Sequence, residues 1–299
     1  MVKQPLPQTR FSAFRARLEA FEPQGRIGAG VYEVLLFGFK QGWACLFGAL
    51  LLALLLLTHW LYPVDARLPR YDFLTISAVL IQIGMLAFRL ENWTEAKVIL
   101  VFHVVGTVME LFKTAVGSWA YPEAAYLRLW GVPLFSGFMY AAVGSYIARI
   151  WRIFDFEIVS APSFAVAALV GLGIYLNFFS HHYIFDFRWV LFAALALLFW
   201  RTRVTFTIWR TPRWMPMLLG WFLVAAFIWI AENASTFANA WVYPNQQLSW
   251  SMVSPTKLGA WYLLMYISFM LVASVNTQSW VRMRSGKTSH VGENVYSEG

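Results

Sequence analysis

Long apolar runs separated by short polar, aromatic and basic stretches make up the chain from residue 43 onward. A helix crossing about 30 Å of hydrocarbon needs roughly 20 apolar residues, with shorter runs tolerated where the ends are interfacial. Eight stretches meet that requirement: Trp43 to Leu61, Phe73 to Leu90, Lys97 to Ala115, Pro133 to Ile150, Phe164 to Phe179, Trp189 to Thr205, Met217 to Thr236 and Leu258 to Val275. The pattern predicts an all-α, polytopic membrane helix bundle. Ahead of it, Phe11, Phe14, Leu18 and Phe21 recur at helical spacing beside Arg10, Arg15 and Arg17, as in a helix lying on the membrane surface. The segment after Lys287 is polar and carries Gly and Ser, the composition of a disordered tail.

Composition sharpens this picture. Of 299 residues, 60% are hydrophobic and 13% charged, against about a quarter charged in a soluble domain, which excludes a water-soluble globule. The formal charge of +8 comes from basic residues at the ends of apolar segments, so no nucleic-acid partner is expected and membrane lipids are. With the N-terminus inside, 17 of the 23 Lys and Arg fall on the cytoplasmic side. Arg67, Arg70, Lys113, Arg128, Arg188 and Lys257 fall on the other. That sorting obeys the positive-inside rule with an even number of spans and both termini cytoplasmic. Cys45, the one cysteine, excludes an intramolecular disulfide and a multi-Cys metal site.

Self-similarity adds a second layer. Glu110, Thr114, Trp119, Tyr121 and Pro122 recur as Glu232, Thr236, Trp241, Tyr243 and Pro244, each shifted by 122. Pro133, Gly137 and Tyr140 match Pro255, Gly259 and Tyr262, so 8 of 31 aligned positions agree where random matching gives roughly two. Thr58-His59 aligns with Ser180-His181, and Asp65-x-Arg67 with Asp186-x-Arg188 after a one-residue slip. The expected organisation is a cytoplasmic segment over 1–40, four-helix repeats over 41–160 and 161–280, and a tail over 281–299. Two halves in the same orientation imply a 4+4 parallel internal duplication about an axis along the membrane normal. A homo-oligomer remains open.

The matched residues form a candidate site in the non-cytoplasmic half of the bilayer. Glu110 and Glu232 lie within spans, where a carboxylate costs about 2.5–3.5 kcal/mol to insert, with Thr114 and Thr236 on the same helical faces. Acid–base or metal-assisted chemistry would use these four with His59 and His181. Two Glu and two His make Glu110, Glu232, His59 and His181 the candidate ligands of a divalent metal, although no H-E-x-x-H motif is present. Arg67, Arg188, His103, His182, Trp119, Trp241, Tyr121 and Tyr243 are the candidate substrate-binding residues. Each has an architectural alternative: ion pairs locking helix ends with Arg67, Arg188 or Lys113, an interfacial aromatic belt, or local Asp/Arg clasps.

The blocks MELFKTAVGSWAYP (Met109 to Pro122) and ENASTFANAWVYP (Glu232 to Pro244) resemble the YoaT-type bacterial membrane proteins of unknown function, over roughly residues 30 to 285. The resemblance implies a bacterial inner-membrane protein and no particular reaction. The acidic residue followed by W-x-Y at a span exit is also loosely similar to membrane carotenoid cyclases and hydratases, but Pro122-Glu123 is followed by Ala124 where those enzymes carry a second acid. Two readings stand. One is an enzyme acting on a lipid or isoprenoid, with Glu110 or Glu232 protonating an alkene or deprotonating a hydroxyl. The other is a transporter of a small solute, proton or cation between rocking halves. A continuous polar path through the bundle separates the two.

Overall fold

The computed structural model describes residues 17, 18 and 20–275. The surface helix expected around Phe11 and Phe14, and the polar tail after Lys287, fall outside these in whole or in part. Nine α-helices run through the described residues: α1 Gly25–Ala44, α2 Leu46–Leu61, α3 Arg70–Ala87, α4 Trp93–Ala115, α5 Phe135–Ile153, α6 Phe164–Ser180, α7 Arg188–Phe199, α8 Met217–Phe237 and α9 Thr256–Val275. A two-stranded hairpin (β1 Arg128–Leu129, β2 Val132–Pro133) precedes α5. Strands β3 Glu157–Val159, β4 Arg203–Thr207 and β5 Pro212–Pro216 form an antiparallel sheet in the order β3-β4-β5.

Helices α2 to α9 occupy the eight expected positions, and the protein is an all-α membrane bundle. Their lengths differ. By length and hydropathy α3, α4, α8 and α9 can cross a membrane, and α1 with α2 adds a fifth crossing if the pair, bent by 73° at Cys45, acts as one span. Helix α6 has 17 residues and α7 only 12; at 1.5 Å per residue α7 reaches about 18 Å, short of the hydrocarbon thickness. The stretch expected to be helical to Thr205 instead leaves α7 at Phe199 and enters β4, where Val204 and Phe206 alternate inward with Arg203 and Thr205 outward. Helix α1, not expected, is pinned to this sheet by Arg213, whose Nη2 donates to Glu33 Oε2 at 2.6 Å.

Local chemistry sets the boundaries. Asn92 Oδ1 accepts from Glu95 N, and Glu95 Oε2 from Asn92 N, both at 2.9 Å, a capping box that starts α4. Helices α4 and α5 pack closely because glycines face side chains across the contact. A Cβ at Gly106 would lie 2.6 Å from the Cβ and Cγ of Tyr140, and one at Gly144 would lie 2.7 Å from Phe102. Helix α8 runs along α9; α2 packs on α5, α6 on α9, and α5 on α9. Trp221, Phe199 and Tyr266 cluster in the core with ring centroids 4.9–5.5 Å apart.

A polar knot ties one end of α3, α4 and α5. Fully buried Arg149 donates to Trp43 O at 2.7 Å and lies 3.7 Å from Glu91, which accepts from Ser145 Oγ at 2.6 Å and Gln82 Nε2 at 2.8 Å. Arg152 pairs with Glu95 at 3.0 Å. At the other end, Arg70 donates to Glu123, to Thr58 Oγ1 and to Ala238 O, and Asp72 accepts from the backbone N–H groups of Tyr126 and Leu127.

Candidate functional site

Helix α4 ends in a Schellman turn. Gly117, at φ +72°, gives its N–H to Thr114 O, and Ser118 gives its N–H to Lys113 O. The chain then doubles back, and Trp119 and Tyr121 return to the helix they have just left. Trp119 Nε1 and Tyr121 Oη donate to Glu110 Oε2 at 2.7 and 2.6 Å. Tyr140 Oη, from α5, donates to Oε1 at 2.8 Å.

Helix α8 ends the same way. Asn239 takes the left-handed position at φ +56°, with N–H groups of Asn239 and Ala240 bonded to Thr236 O and Ser235 O. Tyr243 Oη then donates to Glu232 Oε1 at 2.5 Å, and Trp261 Nε1 from α9 donates to Oε2 at 2.7 Å. The two returning segments meet: Ala120 and Val242 exchange both backbone hydrogen bonds at 2.9 Å. Trp119 stacks edge-on against Tyr243, and Tyr140 contacts Trp261.

Both carboxyls line one cavity of about 1040 Å³, at the upper end of the roughly 300–1,000 Å³ usual for ligand sites. Glu110, Glu232, Lys113, Lys257, Arg188 and Asn177 give it a polar end. Leu51, Leu55, Ile147, Val224 and Leu263 make apolar walls, and Gln41, Cys45 and Phe154 lie on its lining near the α1–α2 bend. Asp186 and Arg188 form the local clasp at 2.7 Å, with Asn177 Nδ2 donating to Asp186. Burial works to raise the Asp186 pKa, but the hydrogen bonds from Asn177 and Arg188 and the guanidinium charge together hold it below the usual range. Lys113 Nζ donates to His182 Nε2 at 2.7 Å. Although much of the His182 ring faces outward, its pKa is pushed down to about 4, by desolvation first and then by Lys113, His181 and Lys257. His181 is lowered too, chiefly by burial. Its Nδ1–H donates to Asn177 O at 2.9 Å.

The expected site is assembled in part. Glu110, Glu232, His181, Arg188, Trp119, Trp241 and Tyr243 reach the cavity, and Tyr121 reaches Glu110 from behind it. His59 does not: it lies exposed against Trp60 and Phe237. The metal set of His59, His181, Glu110 and Glu232 is therefore corrected, and no group of three or more His, Cys, Asp or Glu among the described residues is placed to hold a metal. Thr114 is half-buried with its Oγ1 unbonded, and Thr236 accepts from Trp250 Nε1 at 3.1 Å and donates to Asn233 O. His103 stacks on Phe138 at 4.3 Å, its Nδ1 buried without a hydrogen bond. His182 stands outside the lining behind Lys113, and Arg67 is exposed. The sequence reading missed Trp261 and Lys257. Trp261 stands one residue before Tyr262, the position matched to Tyr140, so the repeat pointed to its neighbour.

No solved structure matches this chain. Residues 33–269 match the family described as "Protein of unknown function (DUF817)". The chain is 45% identical over 245 residues to the "Uncharacterized protein YoaT" of Bacillus subtilis (strain 168), covering 82% of this chain and 92% of that protein. The family match over most of the chain, together with that relative, makes this protein a member of the DUF817 family.

Proposed function

We propose that this protein is an enzyme of the bacterial plasma membrane that admits a lipid or isoprenoid chain into its cavity and moves a proton at one end of it with Glu110 and Glu232. The observation that carries the reading is the cavity itself: apolar along its length, with both carboxyls gathered at one end. Trp119, Tyr121, Tyr140, Tyr243 and Trp261 position the carboxyls rather than react. Transport of ions is the weaker alternative, because leucine, isoleucine and valine side chains make up much of the cavity wall between the carboxyls and Gln41.

Two further readings accompany it. The matched turns, the reciprocal Ala120–Val242 pairing and the like packing of α2 on α5 and α6 on α9 support an internal duplication with its axis at that bridge. The charge sorting supports a carboxyl end facing away from the cytoplasm.

The test compares total membrane lipids by mass spectrometry after matched expression of wild type, Glu110→Gln and Glu232→Gln. A lipid species lost, with its precursor accumulating, is expected in both variants, and to unequal extents because Glu110 holds three donors and Glu232 two. Identical extracts from all three would overturn the enzymatic reading.

A further inference from the structure

Two lysines at the polar end of the cavity lack the acceptors their charge calls for. Lys113, only 5% exposed, has as its nearest acceptors two neutral imidazole nitrogens, His182 Nε2 at 2.7 Å and His181 Nε2 at 3.5 Å, and its ammonium stands 4.2 Å from the centroid of the Phe178 ring. Lys257, in the first turn of α9, stands over the rings of Tyr243 at 4.4 Å and Trp119 at 5.5 Å. Neither ammonium makes an ion pair among the described residues. The carboxylates nearest in effect are already engaged: Asp186 holds Arg188 and Asn177, while the Glu232 oxygens take Tyr243 and Trp261. Lys113, Lys257 and Arg188 also repel one another. Like charges turned into one cavity with unfilled donors are unfavourable, and an anion that joins them relieves the repulsion and fills the donors.

We infer that Lys113, Lys257 and Arg188 form a phosphate site, and that the occupant of the cavity is an amphiphile whose phosphate head lies among them with its chain along the apolar walls. A phosphate monoester brings about −1.5 to −2 charges and three strong acceptor oxygens, matching two ammonium groups and the guanidinium fork. A single carboxylate would leave one lysine unmatched. A free inorganic phosphate would share the head site but leave the apolar length of the cavity unused. The inference rests on the lipid reading of the cavity and narrows its substrate to phosphorylated chains.

The experiment measures binding to the full chain in neutral maltoside detergent, by calorimetry, for dodecyl phosphate, dodecanoate, dodecanol and inorganic phosphate. Dodecyl phosphate is expected to bind at least about tenfold more tightly than dodecanol or dodecanoate, and Lys113→Gln and Lys257→Gln each to remove roughly tenfold, with Lys→Arg restoring most of it. Inorganic phosphate that competes with dodecyl phosphate supports the head site, and equal affinity for the two would overturn the amphiphile and leave a free-phosphate site. Dodecyl phosphate binding no tighter than dodecanol overturns the site altogether, and that ranking needs only the wild-type protein if a variant fails to fold. A retained phosphate preference with unchanged lipids in Glu110→Gln and Glu232→Gln sinks the proton chemistry while leaving this site standing.

Discussion

Replacing Glu110 by Gln and by Leu separates its role as an acceptor from its role as a charge. The carboxyl receives three donors: Trp119 Nε1 and Tyr121 Oη on Oε2, and Tyr140 Oη on Oε1. An indole N–H can only donate, so a glutamine must keep its oxygen toward Trp119 and Tyr121 and turn its amide toward Tyr140, whose hydroxyl can rotate to accept. All three contacts then survive as neutral hydrogen bonds. Charge-assisted bonds contribute roughly 1.5–3 kcal/mol against 0.5–1.5 for neutral ones, but the desolvation of a buried charge offsets most of that difference, so Glu110→Gln costs only about 1 kcal/mol. Leucine strands three half-buried donors at the lower part of the roughly 1–3 kcal/mol range each, so Glu110→Leu costs about 4 kcal/mol. Equilibrium unfolding in mixed micelles, followed by circular dichroism, gives both values. A leucine variant no less stable than the glutamine variant would refute the assignment of these donors to one acceptor.

Other outcomes follow from features elsewhere in the bundle. Arg149→Met leaves Glu91 without its cation and is expected to cost about 3–5 kcal/mol, while adding Glu91→Gln recovers part of the loss; a double variant as unstable as the sum of the singles argues against coupling across their 3.7 Å contact. Gly106→Ala pushes its new Cβ into Tyr140 and is expected to cost about 1–3 kcal/mol and to weaken the Tyr140–Glu110 bond; unchanged stability and an unchanged Tyr140 environment in near-ultraviolet dichroism count against that packing. His182, held at about 4 against an ordinary 6.5, stays neutral in the folded protein while the unfolded chain gains a proton, so its contribution is full above pH 6.5 and falls away toward pH 4. Ring titration by nuclear magnetic resonance checks this, and a midpoint at 6 or above contradicts it.

Much of the architecture was legible because its signal is burial in lipid: each apolar run became a helix, α2 to α9 in order. Helix α1 escaped because Glu33, Lys40 and Gln41 interrupt its apolar positions, and its burial depends on Phe154, Phe206 and Arg213, far along the chain. The β4–β5 hairpin escaped because Val204 and Phe206 continue the apolar run of α7, and only the period changes from helical to alternating. Of the site, the glutamates were legible as charges inside apolar segments, whereas His59 was misjudged because position at a helix exit does not say which face a ring takes. Trp261 became visible only once α9 lay beside α8, since nothing in its own neighbourhood marks an indole N–H as a carboxylate donor.

Cys45 sits at the bend between α1 and α2, on the wall of the same cavity that the two glutamates line, and it is the only thiol in the chain. That combination makes the native sequence its own depth gauge. An occupant anchored at the carboxyl end shields the sulfur only when its chain extends as far as the bend. The rate at which a membrane-permeant alkylating reagent modifies Cys45, recorded across a series of amphiphiles of increasing chain length, should therefore fall sharply at one length. That length measures the molecule for which the cavity was shaped.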